Sequence, residues 1–401
     1  MDGQNEPMPS RHEAQDRDAR DPLAGFRDEF IIPDPDLIYL DGNSLGRAPK
    51  ATRHRIDQVL NAEWAGGLIS SWEHWLDLPR RVGDQLGPII GSRPGEVVVH
   101  DSTSINLYQA VHLALRLRPD RRVIVIDDHE FPTDRFVVEG IAEALELEVR
   151  ALTKEMSFEE VAVVVRSVVD YRTAAMADVE AFTTKARSAG ALVIWDLSHA
   201  AGAVEIDLHA LGVDLAVGCS YKFLNGGPGA PAWSFVTSGL HEHISPPIRG
   251  WFGHRDQFAM DRGFEPHDDA RQLLVGTPHI LSLVAAEEGT ALSARVGMPR
   301  IAAKGRELVA FAMEVADHVG LTTSTPRDPA RRGCHLAIHH PDAANLVAQL
   351  ARDHAVVADV RPPDIIRLGL SPLTTRFIDV WDGLERLHTL IDSSSTPERR
   401  P

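Results

Sequence analysis

The chain has 401 residues, 43% hydrophobic and 25% charged, with a formal net charge of −17. Such a length buries a core large enough for more than one domain, and the acidic balance argues against a nucleic-acid or anionic-membrane surface, since both want a basic patch. Two cysteines, Cys219 and Cys334, leave no disulfide framework and no CxxC metal site, and no run reaches the roughly 18 consecutive apolar residues of a membrane span.

Residues 1–25 are charged throughout and lack the apolar core of a signal peptide, so they are expected to form a disordered tail of a cytoplasmic protein. Leu37 to Ala51 reads as a short strand, a Gly/Asn turn and a Pro-led helix start, with helical periodicity continuing through TRHRIDQVLNAEWAGG. Strand and helix signals then alternate. EVVVH (Glu96 to His100) is a strand and Ser102 to Leu117 an N-capped helix; RRVIVID is a strand and TDRFVVEGIAEAL a helix. VAVVVRSVV is a strand, DVEAFTTKARSAG a helix, and ALVIWD and VDLAVGCS are strands. Short Val/Ile/Leu runs between amphipathic helices indicate a mostly parallel sheet covered on both faces, an α/β domain over residues 26–280. A long helical region, Leu281 to Val319, then leads to CHLAIHH, DAANLVAQLARDH, AVVADVR, IIRLGLS and a final helix. This β-α-β-β-α order suggests a smaller C-terminal α+β domain over 281–392, followed by a flexible tail at 393–401.

In open α/β sheets ligands bind at the carboxyl ends of strands, so the polar residues just after each strand are the candidates. Asp101 to Ser104 open a helix; they are either a plain N-cap or an anion cradle. Phe131 and Asp134 follow VIVID, Phe131 being either core or a ring that stacks on a cofactor. Ser167 follows VVVR. Asp196 follows LVIW and is either an Asx turn or a carboxylate for a protonated ring nitrogen, with His199 three residues on, structural or beside that ring. Ser220, Tyr221 and Lys222 follow the next strand, and GGPG at 226–229 is a turn or a place for close backbone approach.

Lys222 is the sharpest of these. Only five of the 41 basic residues are lysines, the others being Lys50, Lys154, Lys185 and Lys304. The plain reading is a snorkelling side chain. Unlike arginine, however, lysine can lose its proton and form a Schiff base with a carbonyl. A phosphate cradle, a carboxylate for a pyridinium, a stacking ring and a Schiff-base lysine together describe a site for pyridoxal 5'-phosphate.

The motifs YLDGNSLG, DSTSINLY, FPTD, WDLSHAAG, SYKFLNGGPG, RGWFGH and IIRLGLSPL resemble those of the kynureninase family, fold-type-I pyridoxal-phosphate enzymes related to the cysteine desulfurases. The likeness runs from Tyr39 to Asp382. It implies hydrolysis of L-kynurenine in tryptophan catabolism, giving anthranilate and L-alanine. Lys222 would carry the cofactor, Asp196 pair with its ring nitrogen beside His199, and Phe131 stack on the ring with Asp134 near its nitrogen edge. Thr103 and Ser104 would contact the phosphate, Ser167 would lie near the cofactor, and Tyr221 would serve phosphate and proton transfer, including as a general base for water. Trp251 and Thr277 would reach the cofactor from the neighbouring subunit of a homodimer. Arg367 would grip the substrate carboxylate, with Ser44 and the aromatic segment containing Trp72 at the substrate end. A threonine at 277, where the branch preferring 3-hydroxykynurenine has asparagine, leans toward kynurenine itself. Thr374 departs from the tyrosine frequent in the family. The rivals are a cysteine desulfurase-like lyase, which needs a reactive cysteine in a mobile loop, and a non-catalytic binding module on the same fold.

Overall fold

The computed structural model describes residues 9–395 except Asp261. The chain divides into two compact units. Of the described residues, the larger comprises Ala48–Tyr171 and Met176–Met298; the smaller comprises 9–47, Arg172–Ala175 and 299–395.

The larger unit is built on a seven-stranded sheet: β1 Val97–His100, β2 Val123–Ile126, β3 Glu148–Ala151, β4 Val161–Ser167, β5 Leu192–Asp196, β6 Leu215–Gly218 and β7 Ala232–Val236, in the order β1-β7-β6-β5-β4-β2-β3. β7 runs antiparallel to both its neighbours, β1 and β6, and the other pairings are parallel. The parallel strands are continuous apolar runs because both of their faces are covered. On one face Ile124, Ile126, Val163, Val165, Ile194 and Val217 pack against Leu107, Val111 and Ala114 of the helix Thr103–Leu117. On the other, the buried Trp195 ring donates from Nε1 to Thr183 Oγ1 (3.0 Å) of the helix Val179–Ser188.

Two strands escape the sequence reading. β3 is an edge strand whose residues are half-buried or exposed, and its Glu148–Arg150 ion pair is a common way to blunt an edge. β7, AWSFV, lacks a β-branched run and follows directly on a glycine-rich loop.

The smaller unit holds an antiparallel sheet of β8 His335–His339, β9 Asp359–Arg361 and β10 Ile365–Gly369, in the order β9-β10-β8. Its core joins Leu336, Ile338, Ile366 and Leu368 to Phe311, Leu346, Leu350, Val380 and Leu384 of three helices.

Three domain expectations are corrected here. Much of the supposed N-terminal tail is ordered: Arg11–Arg20 is a helix capped by Ser10, whose Oγ accepts from Glu13 N (3.1 Å). Arg11 pairs with Asp382 (2.8 Å), and Asp18 accepts from the N–H groups of Phe377 (2.7 Å) and Ile378 (3.0 Å), capping the final helix. Charge here is capping and pairing chemistry, and Ala14 is this helix's single buried residue. Second, residues 26–47 belong with the smaller unit, because Ile38–Tyr39 pair in parallel with Val356–Val357. Third, the helical region after 280 is two helices, Ile280–Val296 and Met298–His318, broken at Gly297, whose φ of +88° suits glycine. The unit boundary falls at that break. The final helix runs to Ser395, so the expected C-terminal tail is helical at its start; residues 1–8 and 396–401 lie outside the described residues. Among the described residues no helix is long and apolar enough to cross a membrane, and no group of metal-ligating side chains gathers.

Candidate active site

Parallel strands that end together bring their C-terminal residues side by side. In register, Ser167 at the end of β4 sits opposite Asp196 at the end of β5. The turn after β2, the helix start after β1 and the loop after β6 close on the same space. The result is a cavity of about 300 Å³ in the larger unit. Nine sequence candidates line it: Thr103, Ser104, Phe131, Asp134, Ser167, Asp196, His199, Tyr221 and Lys222.

Lys222 lies on the loop 219–231 between β6 and β7. That loop is tied to itself by Asn225 N to Lys222 O (2.9 Å), Gly226 N to Ser220 O (2.8 Å) and a bond from Ser220 Oγ to Pro231 O. It is also pressed from behind by the helix Ile280–Val296. A Cβ on Gly289 would stand 2.2 Å from the Leu224 carbonyl oxygen, so only glycine permits this approach. The Lys222 amine rests across the buried His199 ring, 3.4 Å from Nε2 and 3.5 Å from Nδ1.

Around this amine stand buried carboxylates. Asp196 accepts from Ser198 N (2.7 Å) through Oδ1. Burial raises its pKa, opposed by Lys222 and the Ser198 bonds. Asp134, in the first turn of the helix Pro132–Leu145, has a buried Oδ2 with no hydrogen-bond partner. Its pKa lies well above the usual carboxylate range through burial, then the charges of Asp196 and Glu130. Glu130 is pushed up by burial as well. Asp134 and Asp196 thus line the cavity beside the single Lys222, with Glu130 behind them, and burial disfavours charge on all three.

The opposite end is a donor end. Thr103 and Ser104 are the first residues of a 15-residue helix whose N-cap, Ser102, accepts from Ile105 N (3.5 Å). The first-turn N–H groups of such a helix have no carbonyl of their own to bond and favour an anion. Just before them Asp101 is held at φ +42°, with Oδ2 3.0 Å from His100 Nδ1. A left-handed non-glycine residue at a cradle is a place where strain and site coincide. The Phe131 ring borders the cavity and meets Tyr171 edge-on at 5.4 Å.

The remaining candidates lie elsewhere. Trp251 is 41% exposed and packs on Phe252 and Phe258, and Thr277 is exposed; neither lines the cavity of its own chain. Trp72 packs edge-on against Trp75 and against Phe252, and is not part of the cavity lining. Arg367 and Ser44 belong to the smaller unit. There the fully buried Arg367 donates from Nε to Asp359 Oδ1 (2.9 Å) and from Nη2 to Asp359 Oδ2 (2.5 Å) and Ser44 Oγ (3.0 Å).

The sequence reading missed Thr133, Tyr171 and Ser198 in the lining, and missed Glu130 behind it. Glu130 carried a signal: a carboxylate immediately before FPTD at a strand end. Cys219 and Cys334 are both buried, with thiol pKa values raised chiefly by burial, that of Cys334 to about 12. A second hollow of about 360 Å³, bordered by Val59, Trp64, Trp75 and residues 279–282, is mainly apolar and holds no such convergence of nucleophile and carboxylates.

Comparison with known proteins bears on the fold and the family. Among solved structures, the apo cysteine desulfurase of Thermococcus onnurineus NA1 superposes with a TM-score of 0.77 at 18% identity, over 97% of this chain and 99% of that one. An alanine–glyoxylate aminotransferase from Nostoc sp. does so with a TM-score of 0.69 at 18% identity, over 90% and 96%. At such identities the likeness shows the fold alone. The sequence model of one family, Kynureninase C-terminal domain, matches residues 301–387. The kynureninase of Pseudomonas fluorescens is 41% identical over 402 residues, 96% of each chain. That of Burkholderia pseudomallei (strain 1106a) is 41% identical over 406 residues, 97% of each chain. With this identity over nearly its whole length, the chain belongs to the kynureninase family.

Proposed function

We propose that this chain hydrolyses L-kynurenine to anthranilate and L-alanine, with pyridoxal 5'-phosphate held in the cavity at Lys222. The observation that carries the reading is the juxtaposition of the Lys222 amine, laid across His199, with the buried carboxylates of Asp196 and Asp134 and the helix N-terminus at Thr103. The residues fit that cofactor. Its phosphate matches the donor end, its aldehyde the lysine, its ring the Phe131 face, and its protonated ring nitrogen the Asp196 carboxylate. The partnerless Asp134 Oδ2 is a buried acceptor awaiting a donor.

When bound, the cofactor supplies an electrophilic carbonyl carbon and an electron sink for charge developing at the substrate α-carbon. The chain's own residues do the rest. Lys222 holds the cofactor and then moves the proton at the α-carbon. Asp196 keeps the ring nitrogen protonated, and His199 fixes the lysine beside it. Tyr221 retains its proton at neutral pH, because burial, Cys219 and Asp196 all raise its pKa. It therefore acts as a donor to developing negative charge, rather than as the general base that the sequence suggested. Arg367, whose guanidinium is held ready by Asp359 and Ser44, is the candidate for the substrate carboxylate. One water is consumed: its oxygen ends in the carboxylate of anthranilate as the bond between the aryl ketone carbon and Cβ breaks, and a proton is delivered to Cβ of alanine.

The working unit is a homodimer in the cytoplasm, in which a second copy brings Trp251 and Thr277 to the cavity. Their exposure, and that of nearby Phe258 (57%) and Met260 (77%), supports a covering surface there. Thr277 leans the enzyme toward kynurenine over its 3-hydroxy form.

The test is incubation with L-kynurenine while anthranilate fluorescence is followed. The wild-type protein should develop the signal, and Lys222→Ala should lose both it and the visible absorbance of bound cofactor. Turnover by Lys222→Ala would refute the assignment. A desulfurase reading is not favoured, since both thiols are buried and hard to ionise; sulfide release from cysteine would revive it. The presence of both Lys222 and Arg367 argues against a non-catalytic binding module.

A further inference from the structure

Behind the cavity wall sits a residue that the reaction as described does not use. Glu130 is 8% exposed, at the end of the turn after β2. Its Oε1 accepts from Ser167 Oγ (2.5 Å) and Phe131 N (3.1 Å), and its Oε2 accepts from Ser167 N (2.7 Å). Two of these three donors are backbone N–H groups, whose direction cannot be reversed. A carboxylate satisfies all three at once, whereas an amide, whose nitrogen cannot accept, does not.

The consequence falls on Ser167. A serine hydroxyl has one hydrogen and two lone pairs. With its hydrogen committed to Glu130, Ser167 can only accept from the cavity it lines. It thereby joins Asp134 and Asp196, both acceptors when ionised, in a wall that accepts without donating. Facing it, the helix N-terminus at Thr103 and Ser104 donates. The cavity is polarised from end to end.

We propose that Glu130 is a positioning residue that fixes the polarity of the Ser167 hydroxyl, so that a ligand must present an N–H or O–H edge to this wall and its anionic group to the helix. The proposal rests on the reading that the cavity binds pyridoxal 5'-phosphate, and it adds the device that sets the direction of binding.

The test is a double-mutant cycle on apoprotein: wild type, Glu130→Gln, Ser167→Ala and the double variant. The dissociation constant of pyridoxal 5'-phosphate is read by quenching of intrinsic fluorescence, and the thermal midpoint is recorded for each protein. In Glu130→Gln one amide orientation turns the nitrogen toward Ser167 Oγ and Phe131 N–H and sends the serine hydrogen into the cavity, and the other sets it against Ser167 N–H and pushes away the residue that carries the hydroxyl. Glu130→Gln should therefore weaken binding by roughly tenfold in the serine background, the size expected for one mis-set hydrogen bond. In the Ser167→Ala background it should have little further effect. The bound cofactor's absorbance maximum should move in Glu130→Gln and stay put on adding that change to Ser167→Ala. An equal loss in both backgrounds, or none in either, would overturn the proposal. Glu130→Met removes the acceptor without adding a donor and carries the same cycle if the Glu130→Gln variant does not fold. Failure of the wild-type apoprotein to bind the cofactor would instead refute the reading of the cavity.

Discussion

Asp41→Asn should stabilise the protein, and by more at neutral than at acidic pH. Asp41 lies half-buried in the smaller unit, bridged to Gly369 and close in charge to Asp359, Arg361 and Arg367. Burial, then the charge of Asp359, raises its pKa from 3.8 to about 6, against the pull of Ser44 and the two arginines. A carboxyl that binds its proton more tightly folded than unfolded favours the folded state at low pH. That advantage is lost as pH rises from the unfolded pKa through the folded one. At about 1.36 kcal/mol per unit, a shift of about two units makes ionised Asp41 a penalty near 3 kcal/mol at pH 7.5, or about 2 kcal/mol after discounting for partial exposure. At pH 5 roughly half of that penalty remains. Asparagine keeps the shape and removes the charge, so urea unfolding should show a gain of about 2 kcal/mol at pH 7.5 and about 1 kcal/mol at pH 5. The Arg367–Asp359 bonds do not pass through Asp41 and should persist. A gain that is the same at both pH values, or a loss at pH 7.5, would refute the reasoning.

Two other substitutions probe the site from different directions. Arg367→Lys keeps the charge but cannot bond both Asp359 oxygens and Ser44 through a planar fork; KM for kynurenine should rise roughly 10- to 100-fold, with kcat changed less. Steady-state kinetics decide it, and an unchanged KM contradicts the role given to Arg367. Gly218→Ala would place a Cβ 2.3 Å from Cζ2 and 2.7 Å from Cε2 of the buried Trp233 ring on β7. It should lower stability by about 1–3 kcal/mol, as overpacking does, and be visible in the urea midpoint.

Much of the site was legible because its residues obey one positional rule: they follow strands. Asp196, Ser167 and Lys222 were placed by finding where Val/Ile/Leu runs stop, and the sheet brings those stops together. Lys222 also stood out by its chemistry in an arginine-using chain. Glu130 obeyed the same rule and was passed over. Its part depends on three hydrogen bonds, two of them to a residue 37 positions away, and a pairing of that range leaves no local pattern. β7 was missed for a related reason, since Trp233 and Phe235 are held by antiparallel partners on both sides rather than by local propensity. The helix Arg11–Arg20 shows the converse. A segment with one buried residue looks disordered by composition, yet it is anchored by Arg11 to Asp382 and by Asp18 at the start of another helix. Nothing in either segment alone reveals that match.

The antiparallel β7 has a kinetic meaning. Because β6 and β7 run in opposite directions, the Lys222 loop is the connection of a hairpin set inside the sheet, and β7 is zipped to β1 on its far side. The loop is tied to itself by Asn225 N to Lys222 O and Gly226 N to Ser220 O, and residues 223–226 are buried, leaving Pro228 and Gly229 exposed at its tip. Its amides should exchange with solvent water only through openings that separate β7 from its neighbours, which are close to global unfolding. The lysine is thus protected to the same depth as the sheet itself. Conditions mild enough to leave the sheet folded should leave the lysine in register, and whatever moves during turnover must be sought in other parts of the molecule.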